Sequence, residues 1–317
     1  MNTIGAHGKV ILFGEHAVVF GRPALAIGIP DAMVVREVLE TPESIELFIP
    51  EWGLRADSSV PGPMGDALRR LYAAVPGRGG CRLQVSSSIP LAKGLGSSAA
   101  LAVVVVKALA AARGVSLDAR AVRALAHEAE KVFHGTPSGL DDAVATYGGL
   151  CLFRRDPWNP EPVPDLPSRA LEPEVVQMLV CTPSFVVADT GVAHRTIEVV
   201  RAVRERGDRE PEAVKGLFDR MEAALWQGLD AIAAADPDRL AFALNRCHEA
   251  LRELGVSWPQ AEQAIRLALE SGALAAKMTG AGGGGCVVAF APGRERDVLE
   301  NWGRSGLDGF LVPGTGT

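Results

Sequence analysis

No pair of cysteines in this chain has metal-binding or redox spacing. The five cysteines, Cys81, Cys151, Cys181, Cys247 and Cys286, are odd in number and far apart. That excludes a zinc knuckle and a disulfide framework, and it points to reduced thiols in a cytoplasmic protein. Neither sign of charge dominates. The net charge of −6 comes from 32 basic and 38 acidic residues with no basic tract, so the electrostatic footprint of a nucleic-acid binder is missing. The one basic cluster, residues 201–209, is interspersed with Glu205 and Asp208 and reads as a solvated face. No apolar run is long enough to span a bilayer; the longest, residues 99–112, is broken by Lys107. The first residues lack the basic-then-apolar pattern of a secretory signal. No segment repeats at a fixed period, and neither the Walker-type phosphate loop nor the GxGxxG fingerprint occurs.

What the chain does have is glycine, 35 residues gathered mainly into loops, and an apolar fraction of 48%, ample for real cores. Its 317 residues suggest two domains. A stretch at 156–167 holds five prolines and reads as a connection, giving domains at 1–170 and 171–317. Short β-prone apolar runs predict strands at 9–14, 24–29, 33–38 and 44–49, with Pro30-Asp31 and Thr41-Pro42 as breaks and an antiparallel sheet as the sum. Further strands are expected at 81–87, 149–154, 175–181, 185–188, 273–278, 286–291 and 309–312. Helical spacing covers 65–74, 99–113, 117–133, 196–206, 212–234, 237–254, 259–271 and 294–302, with Ser116 placed to cap the third. A short helix begins at 143–146. Strand runs and helix runs alternate irregularly, which makes the class α+β rather than a doubly wound parallel sheet.

Pro90 to Ala100 reads PLAKGLGSSAA, at a strand-to-helix handover. The first N–H groups of a helix have no internal partner and carry the positive end of its dipole. Lys93, Gly94, Leu95, Gly96, Ser97, Ser98 and Ala99 therefore read either as an anion cradle or as an ordinary Gly-rich turn capped by serine. A second Gly-rich segment, Lys277-Met278-Thr279-Gly280-Ala281-Gly282-Gly283-Gly284-Gly285-Cys286, is long for a hairpin turn; we favour a backbone that packs against a ligand or another loop. Two further segments stand out: Gly8-Lys9-Val10-Ile11-Leu12-Phe13-Gly14-Glu15-His16, a charged residue opening an apolar strand, and His134-Gly135-Thr136-Pro137-Ser138-Gly139-Leu140-Asp141.

Together these segments resemble the signature motifs of the GHMP kinase superfamily, from Gly8 to Cys286, with wording closest to its mevalonate kinase branch. The resemblance implies a two-domain α+β fold, with a ribosomal S5 domain 2-like N-terminal domain and a ferredoxin-like C-terminal one. It implies transfer of the ATP γ-phosphoryl group to the 5-hydroxyl of mevalonate, with Mg²⁺ as cofactor, no membrane or nucleic-acid partner, and room for a homodimer. Residues 93–99 would bind ATP. Asp141 matches the catalytic aspartate and Lys9 the lysine beside it; Asp142 is a rival where the family usually has Asn. Ser98 and Glu130 match the metal ligands, although Glu128 shares the same helix and Glu130 alone would read as a solvated face. For substrate binding, Glu15 and His16 match the family's Glu-His pair, His16 being its mevalonate-contacting histidine, and Thr196 matches a substrate-binding threonine, with His194 or Arg195 as candidates for the substrate carboxylate. Ser138, Gly280, Gly282 and Gly283 would support the site. His127 and His248 read as structural. A kinase of another small alcohol (phosphomevalonate, homoserine or a sugar) and a non-catalytic ATP-binding sensor are the alternatives.

Overall fold

The computed structural model describes residues 3–134, 137–154, 168–172, 175–178, 181–192 and 196–314. The chain divides into two compact units. The first comprises the residues up to Lys9 together with Gly28–Gly148. The second comprises Val10–Ile27 and the chain from Gly149 onward.

The first unit is built on β2 (Ala24–Thr41), which follows β1 (Gly5–Phe13) and pairs with it. Beyond them come β3 (Ile45–Ile49), β4 (Leu54–Asp57), α1 (Pro63–Ala74) and β5 (Gly80–Ser87), and the sheet runs β4-β3-β5-β2. Cys81, Leu83 and Val85 of β5 turn inward while Arg82 and Gln84 face solvent, the period-two pattern of a half-buried strand. The expected split at Pro30-Asp31 is absent. β2 continues through both residues because they fall where its pairing changes over: residues 24–27 are partnered by one strand and residues 33–41 by another. Proline there forfeits no bond to either of those two strands, and exposed Asp31 takes φ 48°. The sheet is not wholly antiparallel either. β3 and β5 run parallel, because α1 supplies the crossover that a parallel pair requires.

Helices α2 (Ser97–Ala112), α3 (Ala119–His134) and α4 (Leu140–Tyr147) complete the unit. Valine and alanine cover almost every face of α2, so nearly all of it is buried in the core with β5 and α3. The cap of α3 is Asp118, whose carboxylate accepts from Ala121 N at 2.7 Å, not Ser116. A short carboxylate satisfies an orphan N–H best when it sits immediately before the first turn.

In the second unit, residues 24–27 of β2 pair with β6 (Leu150–Phe153). β7 (Ser168–Glu172) and β8 (Val175–Met178) extend that sheet from β6 in the order β6-β8-β7. The proline-rich 156–167 stretch lies outside the described residues. A second sheet begins with β9 (Phe185–Asp189), and the helices α5 (Thr196–Arg209), α6 (Pro211–Ala233), α7 (Pro237–Leu254) and α8 (Pro259–Glu270) come before its next strand. Its remaining strands are β10 (Ala275–Thr279) and β11 (Cys286–Phe290), then β12 (Asp308–Val312) after α9 (Glu295–Arg304). The order is β10-β11-β9-β12, antiparallel throughout. Trp302 is fully buried and donates its indole N–H to Ala264 O at 2.9 Å, which ties α9 to α8. Among the described residues no helix is long and apolar enough to cross a membrane.

Candidate active site

The first unit gathers one set of the expected residues. Lys9 is almost fully buried, and its Nζ donates to Asp141 Oδ1 at 2.8 Å. Asp141 keeps 31% of its side chain exposed, so the carboxylate is both paired and reachable. The motif reading takes Asp141 with Asp142 as its rival, and the surroundings of the two differ. Asp142 is buried and fully engaged: Oδ2 accepts from Arg123 Nε at 3.1 Å and Oδ1 lies 3.1 Å from His127 Nδ1. His127 is thus satisfied by a neighbour, as a structural histidine should be. Both aspartates occupy the first turn of α4, where the helix dipole favours a carboxylate. Ser138 Oγ accepts from Leu140 N at 3.2 Å, so this side chain shapes the start of that helix.

The Gly-rich loop lies against the same lysine. Lys9 N donates to Leu95 O at 2.8 Å, and a Cβ on Gly96 would come within 3.2 Å of Lys9 Cβ. Gly94 and Gly96 hold φ of 82° and 74°, a backbone that L side chains adopt only with strain. Ser97 is buried, and its Oγ accepts from Ala92 N at 3.2 Å, bracing the loop internally. No side chain caps α2, whose N-cap is Gly96. An uncapped helix start behind a glycine turn is a ready anion site. Lys93 and Ser98 are partly exposed along this loop.

Glu130 is 1% exposed, the opposite of a solvated face, while Glu128 on the same helix is exposed and pairs with Lys131. Burial first, and the Asp141 charge second, push the Glu130 carboxyl up to about 8; Ser98 opposes the rise. One of its oxygens, Oε1, is buried without a hydrogen-bond partner. A buried oxygen donor with spare valence beside a serine hydroxyl suits a hard divalent cation such as Mg²⁺. His134 is a residue to which the motif reading gave no task. Its Nε2 lies 3.4 Å from Ser98 Oγ and 3.7 Å from Glu130 Oε2, and burial holds its pKa below the usual value. The i, i+4 spacing from Glu130 was the available signal.

The second unit gathers the other set. Glu15 is wholly inaccessible and its carboxylate accepts from Lys277 Nζ, itself wholly inaccessible. His16 is buried at φ 58°, with Nε2 2.8 Å from Ala281 O and Nδ1 without a partner. Burial pulls its pKa down to about 4, so the ring is uncharged near neutrality. A neutral ring facing a carbonyl carries its proton on Nε2 and leaves Nδ1 as an acceptor. The loop at 280–285 packs on other loops. Gly283 N donates to Val256 O at 2.9 Å and Gly285 N to Val192 O at 3.0 Å. Gly280, Gly282 and Gly283 all hold positive φ. Thr196 is the first residue of α5, and its side chain, with His194 and Arg195, lies outside the described residues. His248 is buried beside Glu262, with its ring nitrogens lacking hydrogen bonds.

Comparison with known proteins identifies this pattern of motifs. The model of the GHMP kinases N terminal domain matches residues 64–149, and that of the GHMP kinases C terminal domain matches residues 229–308. A mevalonate kinase of Aeropyrum pernix is 35% identical over 97% of this chain and 94% of its own. The chain belongs to the GHMP kinase family. A mevalonate kinase of Pyrococcus horikoshii is 31% identical, over 92% of this chain and 89% of its own length. The crystal structure of L. major mevalonate kinase in complex with R-mevalonate superposes with a TM-score of 0.78 at 24% identity, covering 100% of this chain and 97% of that one. The GHMP kinase fold, an α+β architecture, is therefore shared across the chain, and with it membership of a family of ATP-dependent kinases.

Proposed function

We infer that this chain transfers the γ-phosphoryl group of ATP to the 5-hydroxyl of mevalonate. The observation that carries the acceptor is the identity to the mevalonate kinases of Aeropyrum pernix and Pyrococcus horikoshii over nearly the whole chain. The Lys9–Asp141 pair supports the reaction type. An alcohol is a weak nucleophile at neutral pH, and a carboxylate that accepts its proton as the O–P bond forms lowers the barrier. Lys9 holds Oδ1 of Asp141, which leaves Oδ2 for the hydroxyl proton. The proton goes to Asp141, the hydroxyl oxygen takes the phosphoryl group, and ADP leaves.

Residues 93–99 would hold the triphosphate through backbone N–H groups at the start of α2, since no side chain competes for them. Ser98 and Glu130 would hold Mg²⁺, which when bound neutralises charge on the phosphate oxygens. His16 would accept a hydrogen bond from the substrate at Nδ1. Being uncharged, it recognises a hydroxyl rather than pairing with the substrate carboxylate. Thr196 is the second candidate contact to mevalonate.

The test is turnover of purified protein with ATP, Mg²⁺ and separate acceptors: mevalonate, phosphomevalonate, homoserine and galactose. ADP release with mevalonate is expected. Turnover of a different alcohol but not mevalonate would overturn the acceptor, and no turnover with any would leave an ATP-binding sensor.

A further inference from the structure

Lys277 and Glu15 are an expensive pair. Both side chains are completely inaccessible, and apart from Glu15 the Lys277 ammonium donates to Met278 O at 2.8 Å. Removing two charges from water costs several kcal/mol each, and apolar residues of similar volume often do as well for stability. Retaining such a pair is best explained by geometry that an apolar core would not specify. Glu15 lies between Gly14, at φ 92°, and His16, at φ 58°. A left-handed histidine is strained, and it persists only where its surroundings over-determine it.

The surroundings do so at three points. Thr279 Oγ1 accepts from Ile11 N and donates to Ile11 O, both at 3.0 Å. Lys277 holds Glu15, and the carbonyl of Ala281 holds the His16 ring at 2.8 Å. Lys277 and Thr279 alternate along β10 and so present one face to the 11–16 segment, and the turn after Gly280 (φ 84°) presents the Ala281 carbonyl to His16. The Cys247 thiol also neighbours the carboxylate, 4.0 Å from Glu15 Oε2, and burial pushes its pKa up to about 12 and so keeps it neutral. The Glu15 carboxylate is already paired with Lys277, whereas the buried Nδ1 of His16 has no hydrogen-bond partner, so their tasks differ.

We propose that Lys277, acting through Glu15, and Thr279, acting through Ile11, are positioning residues that fix the strained turn at His16 and aim its Nδ1 at the acceptor substrate. The strand before the Gly-rich loop then serves acceptor recognition. This rests on the reading of His16 as a mevalonate contact.

Two variants test it without stranding a buried charge: Thr279→Val, and the double variant Glu15→Gln with Lys277→Met. Both should fold by circular dichroism. The KM for mevalonate should rise about tenfold or more while the KM for ATP stays within about twofold. A mevalonate KM within about twofold of wild type in both folded variants overturns the proposal. Lys277→Met alone leaves Glu15 unpaired and should lower Tm; adding Glu15→Gln should restore Tm but not KM, whereas a merely structural pair would recover both. One readout needs no turnover. Nitrogen-15 NMR of the imidazole should show a fixed Nε2–H tautomer for His16 in the wild type and tautomer averaging in both variants; an unchanged tautomer in both also overturns the proposal. Wild-type turnover of another alcohol in place of mevalonate would sink the acceptor assignment alone, and the same KM comparison on that alcohol then decides the positioning claim.

Discussion

At the scale of single residues, two adjacent aspartates sit in unlike environments. Asp142 is committed to Arg123 and His127, whereas Asp141 is held by one lysine and stays partly exposed. Asp141→Asn should therefore lower kcat by about 10²–10⁴-fold with ATP affinity nearly unchanged, measured by steady-state kinetics and nucleotide titration. A kcat near wild type would move the proton acceptor elsewhere. Glu130 is the opposite case, since its buried Oε1 has no hydrogen-bond partner, and the proposed Mg²⁺ would supply one. Glu130→Gln should raise the metal-free Tm by a few degrees, an effect on the order of 1 kcal/mol. It should also weaken Mn²⁺ binding, read by electron paramagnetic resonance with a nonhydrolysable ATP analogue, by about tenfold or more. A fall in Tm, or unaltered Mn²⁺ affinity, would contradict this assignment. Lys9 as a buried partner was legible only through its motif, because a lysine opening an apolar strand reads equally as a strand-end side chain reaching solvent. The burial of Glu130 relative to Glu128 was not legible, since both sit within one helical turn and only packing decides which faces inward.

At the scale of elements, the two Gly-rich loops need glycine for different reasons, and substitution should separate them. Gly94 has φ 82° with nothing within 4 Å of an added Cβ. Gly94→Ala should cost only the left-handed strain, about 1–2 kcal/mol. Gly282 has φ 75°, and its Cβ would fall 2.2 Å from Val256 O, a backbone atom that cannot step aside. Gly282→Ala should cost roughly 3 kcal/mol or more, as overpacking adds to strain. Chemical denaturation of the two variants checks the ranking, and equal losses would refute it. The long helices of the second unit were readable almost to the residue, because prolines at their first positions and periodic apolar faces both mark them. β2 was misjudged for the converse reason: proline punctuates a sequence, but it breaks a strand only where a ladder needs its N–H. The four-residue β4, half-exposed and without alternation, carries no pattern to find.

For the whole molecule, acid sensitivity follows from buried histidines. His248 lies within α7, buried, and its pKa is pulled down to about 4, chiefly by burial, with Lys277 and Arg252 adding to the fall and Glu262 opposing it. Glu262 cannot rescue it fully: the 3.2 Å approach of Nε2 lacks hydrogen-bond geometry, and the same oxygen accepts from Ser257 Oγ at 2.6 Å. An unfolded histidine titrates near 6.5, so between about pH 6.5 and 4 the unfolded chain binds the extra proton and stability falls as pH falls. From pH 7.5 to 5 the loss from this side chain is on the order of 2 kcal/mol, or roughly 4–8 °C in Tm for a unit of this size. His16, also held near 4, adds a second loss of the same sign. Both histidines belong to the unit containing Val10–Ile27 and the chain from Gly149 onward, so if heating gives two transitions their contribution should appear in that unit's midpoint. His248→Gln removes one titrating group without adding charge. Differential scanning calorimetry at pH 7.5, 6.5, 5.5 and 5.0 should therefore show a shallower fall of Tm in the variant than in the wild type. Parallel curves would mean that His248 is already protonated, or already solvated, in the folded protein.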